Sequence, residues 1–504
     1  MKGDSTKSVM YKLYHKKMVE TRTMKQLNDI LLEFRSCFSR KASFCWFVTI
    51  IVGLMVRADT LGLTSIIRDL NLDPNSYETM IHFFHSKAWC LEAVRKKWIQ
   101  LVKIYAPLIT IDGRYVLPAD GVKQPKEARR MPGVKKLHQE SGNSSKPEYI
   151  HGHLFGSVGI LAGNKIKKFC IPLHTNLQDG VSTAFGWEEN IDLTRLTSQV
   201  VQTIYNCYQV ALEIGTSIAV MDRYYLSVPA LRELIKLNEK HDKVLQIVTK
   251  AKSSAVAYHK ASKSTGGRGR PRKKGEAVKL MKLFETHAKH FQSVTVDYYG
   301  KQQTVKFYQT DLLWGQKLYL PLRFILVDVD GIKSILVSTD LTLSPKDIIE
   351  LYGYRFKIES TFRELKQVIG GFGYRFWSRS LGKLNKYRKK GEPDSLELID
   401  HVDDKRLIVG KIRAIEMYVL CSNIALGLLQ IISLHMSDAL NLKNIRYLRT
   451  YSSAVASEAT MATFIRKQIY LMFAQSDDFQ LTQLIKSKQL HSLEQNGEQF
   501  RDIA

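Results

Sequence analysis

LSPKDIIELYGYRFKIESTFRELKQVIGG, residues 343–371, carries a full set of helix signals. Ser344 stands at the N-cap, Pro345 at the first helical position and Asp347 in the first turn, and Gly370-Gly371 closes the segment. The pattern predicts one helix. At about 100° per residue, Tyr352, Arg355, Glu359 and Lys366 fall at roughly 0°, 300°, 340° and 320° around it, a stripe roughly 60° wide. Ile358, Phe362, Leu365 and Ile369 form the adjoining face at roughly 220° to 280°, which gives the helix an apolar side to bury. Glu359 lies at the border, where a carboxylate is held rigidly beside a cleft. A solvated helix with i,i+4 ion pairs, Arg355 to Glu359 and Glu359 to Arg363, presents the same stripe, so spacing alone leaves both readings open.

Working outward, the chain alternates. Residues 1–105 read as helical. The apolar run Phe44 to Val56, closed by Arg57 and Asp59, is shorter than the roughly 20 residues a membrane span needs. It lies too far in to be a signal peptide, so a buried helix, no membrane partner and a cytoplasmic protein are expected. Leu61 to Trp89 reads as two short helices joined at Asn71 to Ser76, with Tyr77, His82 and His85 on the second. DNA contact is expected there, whether the pair is a helix-turn-helix reader or an ordinary helical hairpin.

From Leu108, strands are expected at Arg114–Ala119, His151–Leu161, Lys165–Leu173, Ser217–Met221 and Val244–Thr249, with helices at Leu193–Ile214 and Leu226–Leu237. That alternation is an α/β domain. Residues 262–275 form a basic loop without core-forming residues, and Ser293 to Thr339 reads as an all-β block, after which the chain is helical again.

Two acids sit at expected strand ends, Asp120 after Tyr115 to Ala119 and Asp222 after Ile218 to Met221. Either alone is more often structural. Two strand-end carboxylates plus Glu359 on a helix across the sheet can converge on a pair of divalent metals, which suits phosphoryl transfer. Asp112 is a weaker choice of first acid, and Asp328, Asp330 and Asp340 read as turn acids. His151 and His153 share a strand face but lack a third ligand, which favours a structural role.

A net charge of +27 on 504 residues attracts polyanions, and DNA or RNA is the commonest such partner. The six cysteines contain no CxxC pair, which argues against a zinc ribbon or a disulfide framework. Lys123, Lys126 and Arg130 follow Asp120 closely, where they would bring phosphates to the site. Arg268, Arg270 and Arg272, in Arg-Gly-Arg-Pro-Arg, resemble the core of an AT-hook, which lays arginines in a narrow minor groove.

The spacing Tyr352-x2-Arg355-x3-Glu359-x6-Lys366 resembles the Y-R-E-K signature of bacterial insertion-sequence DDE transposases. Asp120-Gly121-Val122-Lys123 through Glu148-Tyr149 is similar to the surroundings of that group's first Asp, and Asp222-Arg223-Tyr224-Tyr225 to those of its second. The resemblance covers roughly residues 105 to 435. It implies an α/β, RNase H-like catalytic core interrupted by a β-strand insertion, with helical N- and C-terminal regions. The parts would be a helical DNA-binding region (1–105), the core's first part (106–253), the basic loop and insertion (254–343), the core's second part (344–435) and a helical region suited to self-association (436–504).

By the same resemblance, Asp120, Asp222 and Glu359 would hold magnesium, with manganese an expected substitute, and Tyr352, Arg355 and Lys366 would hold phosphates. Phe356 fits a base-stacking position, and Trp314, the one Trp in the insertion, is the candidate for a second. The implied function is cleavage of transposon ends at terminal inverted repeats and their joining to target DNA, by a homodimer on double-stranded DNA. A metal-dependent nuclease that does not join ends, and a non-catalytic DNA-binding regulator, are the alternatives. Neutralising Arg268, Arg270 and Arg272 together is expected to weaken DNA binding and flatten its log-log salt dependence by about 0.9 per charge removed. An unchanged slope in a salt titration makes the loop a bystander.

Overall fold

The computed structural model describes residues 22–490, apart from 61, 140–146, 189–197, 242, 263–271, 299–300, 388, 390, 437–444 and 447–454. Its centre is a mixed sheet. The strands are β1 (Thr110–Ile111), β2 (Arg114–Pro125), β3 (Lys135–His138), β4 (Tyr149–Gly163), β5 (Lys168–Leu177), β6 (Ser217–Val220) and β7 (Leu245–Lys250). They continue as β8 (Val256–Tyr258), β9 (Ala277–Lys279), β10 (Gln292–Tyr298), β11 (Lys301–Trp314), β12 (Leu320–Val329) and β13 (Ile332–Ser338).

In space, β5, β4 and β2 are antiparallel neighbours, while β6 and β7 lie parallel to β2 on its other side. All four residues of β6 are buried, and its run Ile218-Ala219-Val220 is apolar without alternation, as suits a strand covered on both faces. The β-rich block between Ser293 and Thr339 is an antiparallel meander of β10 to β13, joined to the sheet edge through β13 and β7.

One expectation is corrected in β2. The strand does not end at Ala119 but runs to Pro125, so Asp120 lies inside it. Pro118 and Gly121 suggest a strand end, yet they mark an exchange of partners. Tyr115 to Pro118 pair with β6, and Ala119 to Pro125 pair with β4. Proline lacks an N–H for a ladder bond and is tolerated where pairing changes over.

The 343–371 segment is not one helix either. Pro345–Tyr354 and Phe356–Glu364 are separate helices, and Leu365–Ile369 is a π-helical turn. The Arg355 N–H donates to the Tyr352 carbonyl three residues back (3.2 Å), tightening the chain at that point. The expected stop holds: Gly370 is left-handed (φ 65°), and Gly371 N–H reaches back to the Leu365 carbonyl at 2.7 Å.

The N- and C-terminal helices share one core with this domain. A single cluster of buried apolar side chains runs from Met24 to Ile485. It contains most of the apolar run Phe44 to Val56, within helix Lys41–Val56, and much of the long helix Val402–Met436. The latter is apolar and long enough to cross a membrane by length and composition alone, but 94% of its most apolar stretch is buried inside the protein.

Arg57 ties these layers together. It is 1% exposed and donates to the carbonyls of Ile369 (Nε, 3.1 Å) and Gly370 (Nη2, 3.1 Å), to Gly62 O (Nη1, 2.5 Å) and to the Tyr418 hydroxyl (Nη2, 3.1 Å). The end of the 343–371 segment is thus pinned to the helices Lys41–Val56 and Val402–Met436. His153 is equally committed. Its Nδ1 lies 2.6 Å from the Tyr374 hydroxyl and its Nε2 2.9 Å from the Pro132 carbonyl, and burial holds its pKa down at about 3. Neither ring nitrogen is left for a metal.

Arg57→Ala strands several buried carbonyls and is expected to cost about 2–4 kcal/mol, seen as a clear fall in the thermal midpoint. Glu416 is buried on the long helix and accepts the Leu177 N–H at 3.0 Å; burial pushes its pKa up from 4.5 to about 7. A carboxyl raised on folding favours the native state at low pH, and that contribution is lost as pH rises from 4.5 through about 7. Glu416→Gln keeps the acceptor and should flatten this part of the stability profile, measured by urea unfolding across that range.

Candidate active site

Parallel pairing sets the first two acids side by side. Pro118 of β2 is in register with Val220 of β6, and Val220 with Val248 of β7. Two residues beyond each stand Asp120, Asp222 and Lys250. Neighbouring strands lie about 4.8 Å apart, so these three positions form a row across the sheet. β6 ends at Val220, while β2 continues with Asp120 opposite Ser157 of β4. The departure of β6 opens the sheet edge on which Asp120 and Asp222 stand.

Local bonds orient each acid. Gly121 N–H donates to Asp120 Oδ1 (2.8 Å), and Arg223 N–H to Asp222 Oδ1 (2.6 Å). The Thr249 hydroxyl donates to the Asp222 carbonyl at 2.7 Å, fixing the turn to β7. Glu359 comes from the helix packed over β2, β4 and β5. Arg355 joins the third acid to the first: Nη1 donates to Asp120 Oδ2 at 3.2 Å and Nη2 to Glu359 Oε1.

Asp120 keeps 24% of its side-chain surface open. Burial pushes its pKa up from 3.8 to about 6; the Gly121 N–H and Arg355 pull it down, and the negative charges of Asp222 and Glu359 raise it further. Both other acids therefore act on Asp120 through space. Three carboxylates are the hard oxygen donors that Mg2+ takes, and repulsion among them is what a divalent ion relieves. No three acidic, His or Cys side chains among the described residues stand tightly enough to cage a metal as they are. The Arg355 guanidinium lies between two of the three, so the donor set fits a metal once Arg355 turns aside.

Residues 33–305, more than half of the chain, match the model of a family described as DDE superfamily endonuclease. The chain belongs to that family. Its members are enzymes of the nuclease and transposase type that act on DNA, usually with divalent metals. The matched span contains Asp120 and Asp222 and ends within β11, so Glu359 stands on the geometry above. No curated protein matches the chain.

The remaining candidates of this DDE endonuclease are placed unevenly. Tyr352 is 6% exposed, packed among buried apolar side chains of β2, β6 and β12, one turn before Arg355. Lys366 donates to the Lys123 carbonyl at 3.3 Å, and Lys123 to the His138 carbonyl at 2.6 Å. Lys126 reaches the carbonyls of Phe372 (2.5 Å) and Tyr374 (3.2 Å), and Arg130 those of Arg379 (2.8 Å) and Leu381 (3.2 Å). These last two fasten chain to chain. Phe356 is 48% exposed beside Arg355, whereas Trp314 packs against the core of the β meander. Arg272 is exposed, and Arg268 and Arg270 lie outside the described residues. Asp112 occupies a turn (φ 50°) and pairs with Arg114, away from the row.

Sequence reading missed Lys250. Burial lowers its pKa, as does the nearby charge of Arg223, while Asp222 raises it. Only the register with β6 reveals it; nothing in its own surroundings does. A proton on Asp120 competes with any cation that binds there, so Mn2+ affinity is expected to rise as pH passes upward through about 6 and to level off above it. Calorimetric titrations on either side of that value check this, and equal affinities contradict it.

Proposed function

We propose that this DDE endonuclease is the transposase of a bacterial insertion sequence, of the Y-R-E-K group, working in the cytoplasm as a homodimer on double-stranded DNA. The observation that carries the reading is the Arg355 guanidinium bridging Asp120 and Glu359, with Asp222 near enough for its charge to raise the Asp120 pKa. An RNase H-like core with a β insertion is supported by the mixed unit β5-β4-β2-β6-β7 and by the meander that enters between Asp222 and Glu359.

In this reading Asp120, Asp222 and Glu359 hold two Mg2+ ions, or Mn2+ in their place. Bound there, such ions activate an attacking oxygen and stabilise the leaving one. Asp120 must be ionised to serve, so the enzyme works above pH about 6. Arg355, released from the two carboxylates, is placed to hold a phosphate by charge-assisted hydrogen bonds. Lys250 adds positive charge on the far side of Asp222. Tyr352 and Lys366 line the same helix stripe, and exposed Phe356 offers a ring to an unstacked base. The 1–105 helices and the basic loop contact DNA, and the 436–504 region serves pairing of subunits.

Purified protein, labelled transposon ends and Mg2+ test this. Joined products support transposition, cut ends alone a nuclease, and bound but intact DNA a regulator. Asp120→Ala, Asp222→Ala and Glu359→Ala should each abolish cleavage, by about a thousandfold or more, with DNA binding largely kept. Retained cleavage removes that residue from the metal site.

A further inference from the structure

Beyond the catalytic helix the chain runs extended through Tyr374-Arg375-Phe376-Trp377-Ser378-Arg379, with burial alternating residue by residue. Tyr374 (2% exposed), Phe376 (8%) and Ser378 (5%) face inward; Arg375, Trp377 and Arg379 face out, the Trp at 50%. The inward side is firmly fastened. The Tyr374 ring stacks on His153, Phe376 packs on Phe84, Ser378 N–H donates to the Arg130 carbonyl (3.0 Å), and Lys126 and Arg130 hold neighbouring carbonyls. What is presented outward is therefore rigid, with side chains about 6.8 Å apart along the strip.

Nothing among the described residues explains the outward face. All six tryptophans are described, and Trp377 is the one left exposed. Among the described residues neither Arg375 nor Arg379 makes an ion pair, and the charge of Arg375 is felt by Lys126. The strip borders a cavity of about 860 Å³ whose other wall includes Tyr77, Ile81 and Lys411; among the described residues Glu78 is the only acid lining it, against three Lys and Arg side chains. Lys126, which holds the strip, lies six residues beyond Asp120, or about 20 Å along the strand.

Resting on the reading of DNA as substrate, we propose that Arg375, Trp377 and Arg379 grip an unpaired stretch of DNA close to the reaction site. The two arginines meet phosphates, and the Trp377 ring stacks on a base. Paired bases inside a duplex are covered on both faces by their neighbours, so an exposed ring on a fixed extended strip selects a base that has left the stack. An aromatic among spaced cations is how single-stranded nucleic acid is held without regard to sequence.

Full-length protein is titrated by fluorescence anisotropy against a labelled duplex bearing a single-stranded overhang and against a fully paired duplex of equal length. Trp377→Ala should weaken overhang binding about tenfold and change binding of the paired duplex less than about twofold, while Trp377→Phe keeps most of the affinity. Arg375→Gln with Arg379→Gln should reduce the overhang salt slope by about 0.7 per charge. Unchanged overhang affinity in Trp377→Ala, or an equal loss on both DNAs, overturns the strip. If the wild-type protein binds neither DNA, the proposed function fails with it; if it binds both and the variants match it, only the strip fails.

Discussion

The parallel register between β2 and β6 is the constraint on which the site depends. Side chains alternate across a strand, so a slip of one residue would turn Asp120 or Asp222 to the opposite face of the sheet. The register is held by what surrounds it. Val116, Leu117, Ile218, Ala219 and Val220 are fully buried between helical layers, and shifting them would expose apolar surface along the whole length of β6. The energy that sets the carboxylates side by side is thus mostly hydrophobic burial, spent a few residues away from them.

Bringing three negative charges together in a half-buried cleft opposes folding, and the molecule offsets this with Arg355. Its planar fork serves Asp120 and Glu359 at once, which a lysine could not do with the same geometry. The tight turn at Arg355 aims the guanidinium at the sheet, and the π-helical turn beyond it, anchored by buried Arg57, fixes the far end of the same segment. Under the proposed function, Arg355 balances the acids in the free protein and turns to phosphate when a metal takes over that task.

Much of this was legible in the sequence, because strand and helix signals around the acids are strong. Ser344, Pro345 and Gly370-Gly371 bounded the helical segment correctly, and the apolar run ending at Asp222 fixed β6. What could not be read was set by tertiary contact. β2 extends past Asp120 because β4 takes over its pairing, and the break at Arg355 has only Gly353, two residues before it, to announce it, which a helix can tolerate. Lys250 has no local signature and is visible only through strand register. Lys126 and Arg130 look like phosphate ligands from their neighbours in sequence, yet they hold carbonyls of the 372–381 segment. The alternation at 374–379 was present in the sequence, but its meaning came from seeing which side was buried.

Convergence of the three acids is tested most directly by iron-directed backbone cleavage. Fe2+ substituted for Mg2+ in the full-length protein, with ascorbate and peroxide, generates radicals that cut the chain only near the bound ion. The account predicts cuts clustered around residues 120, 222 and 359, suppressed by excess Mg2+ and lost in Asp222→Asn. Cuts confined to one of these regions, or lying elsewhere in the chain, would contradict it.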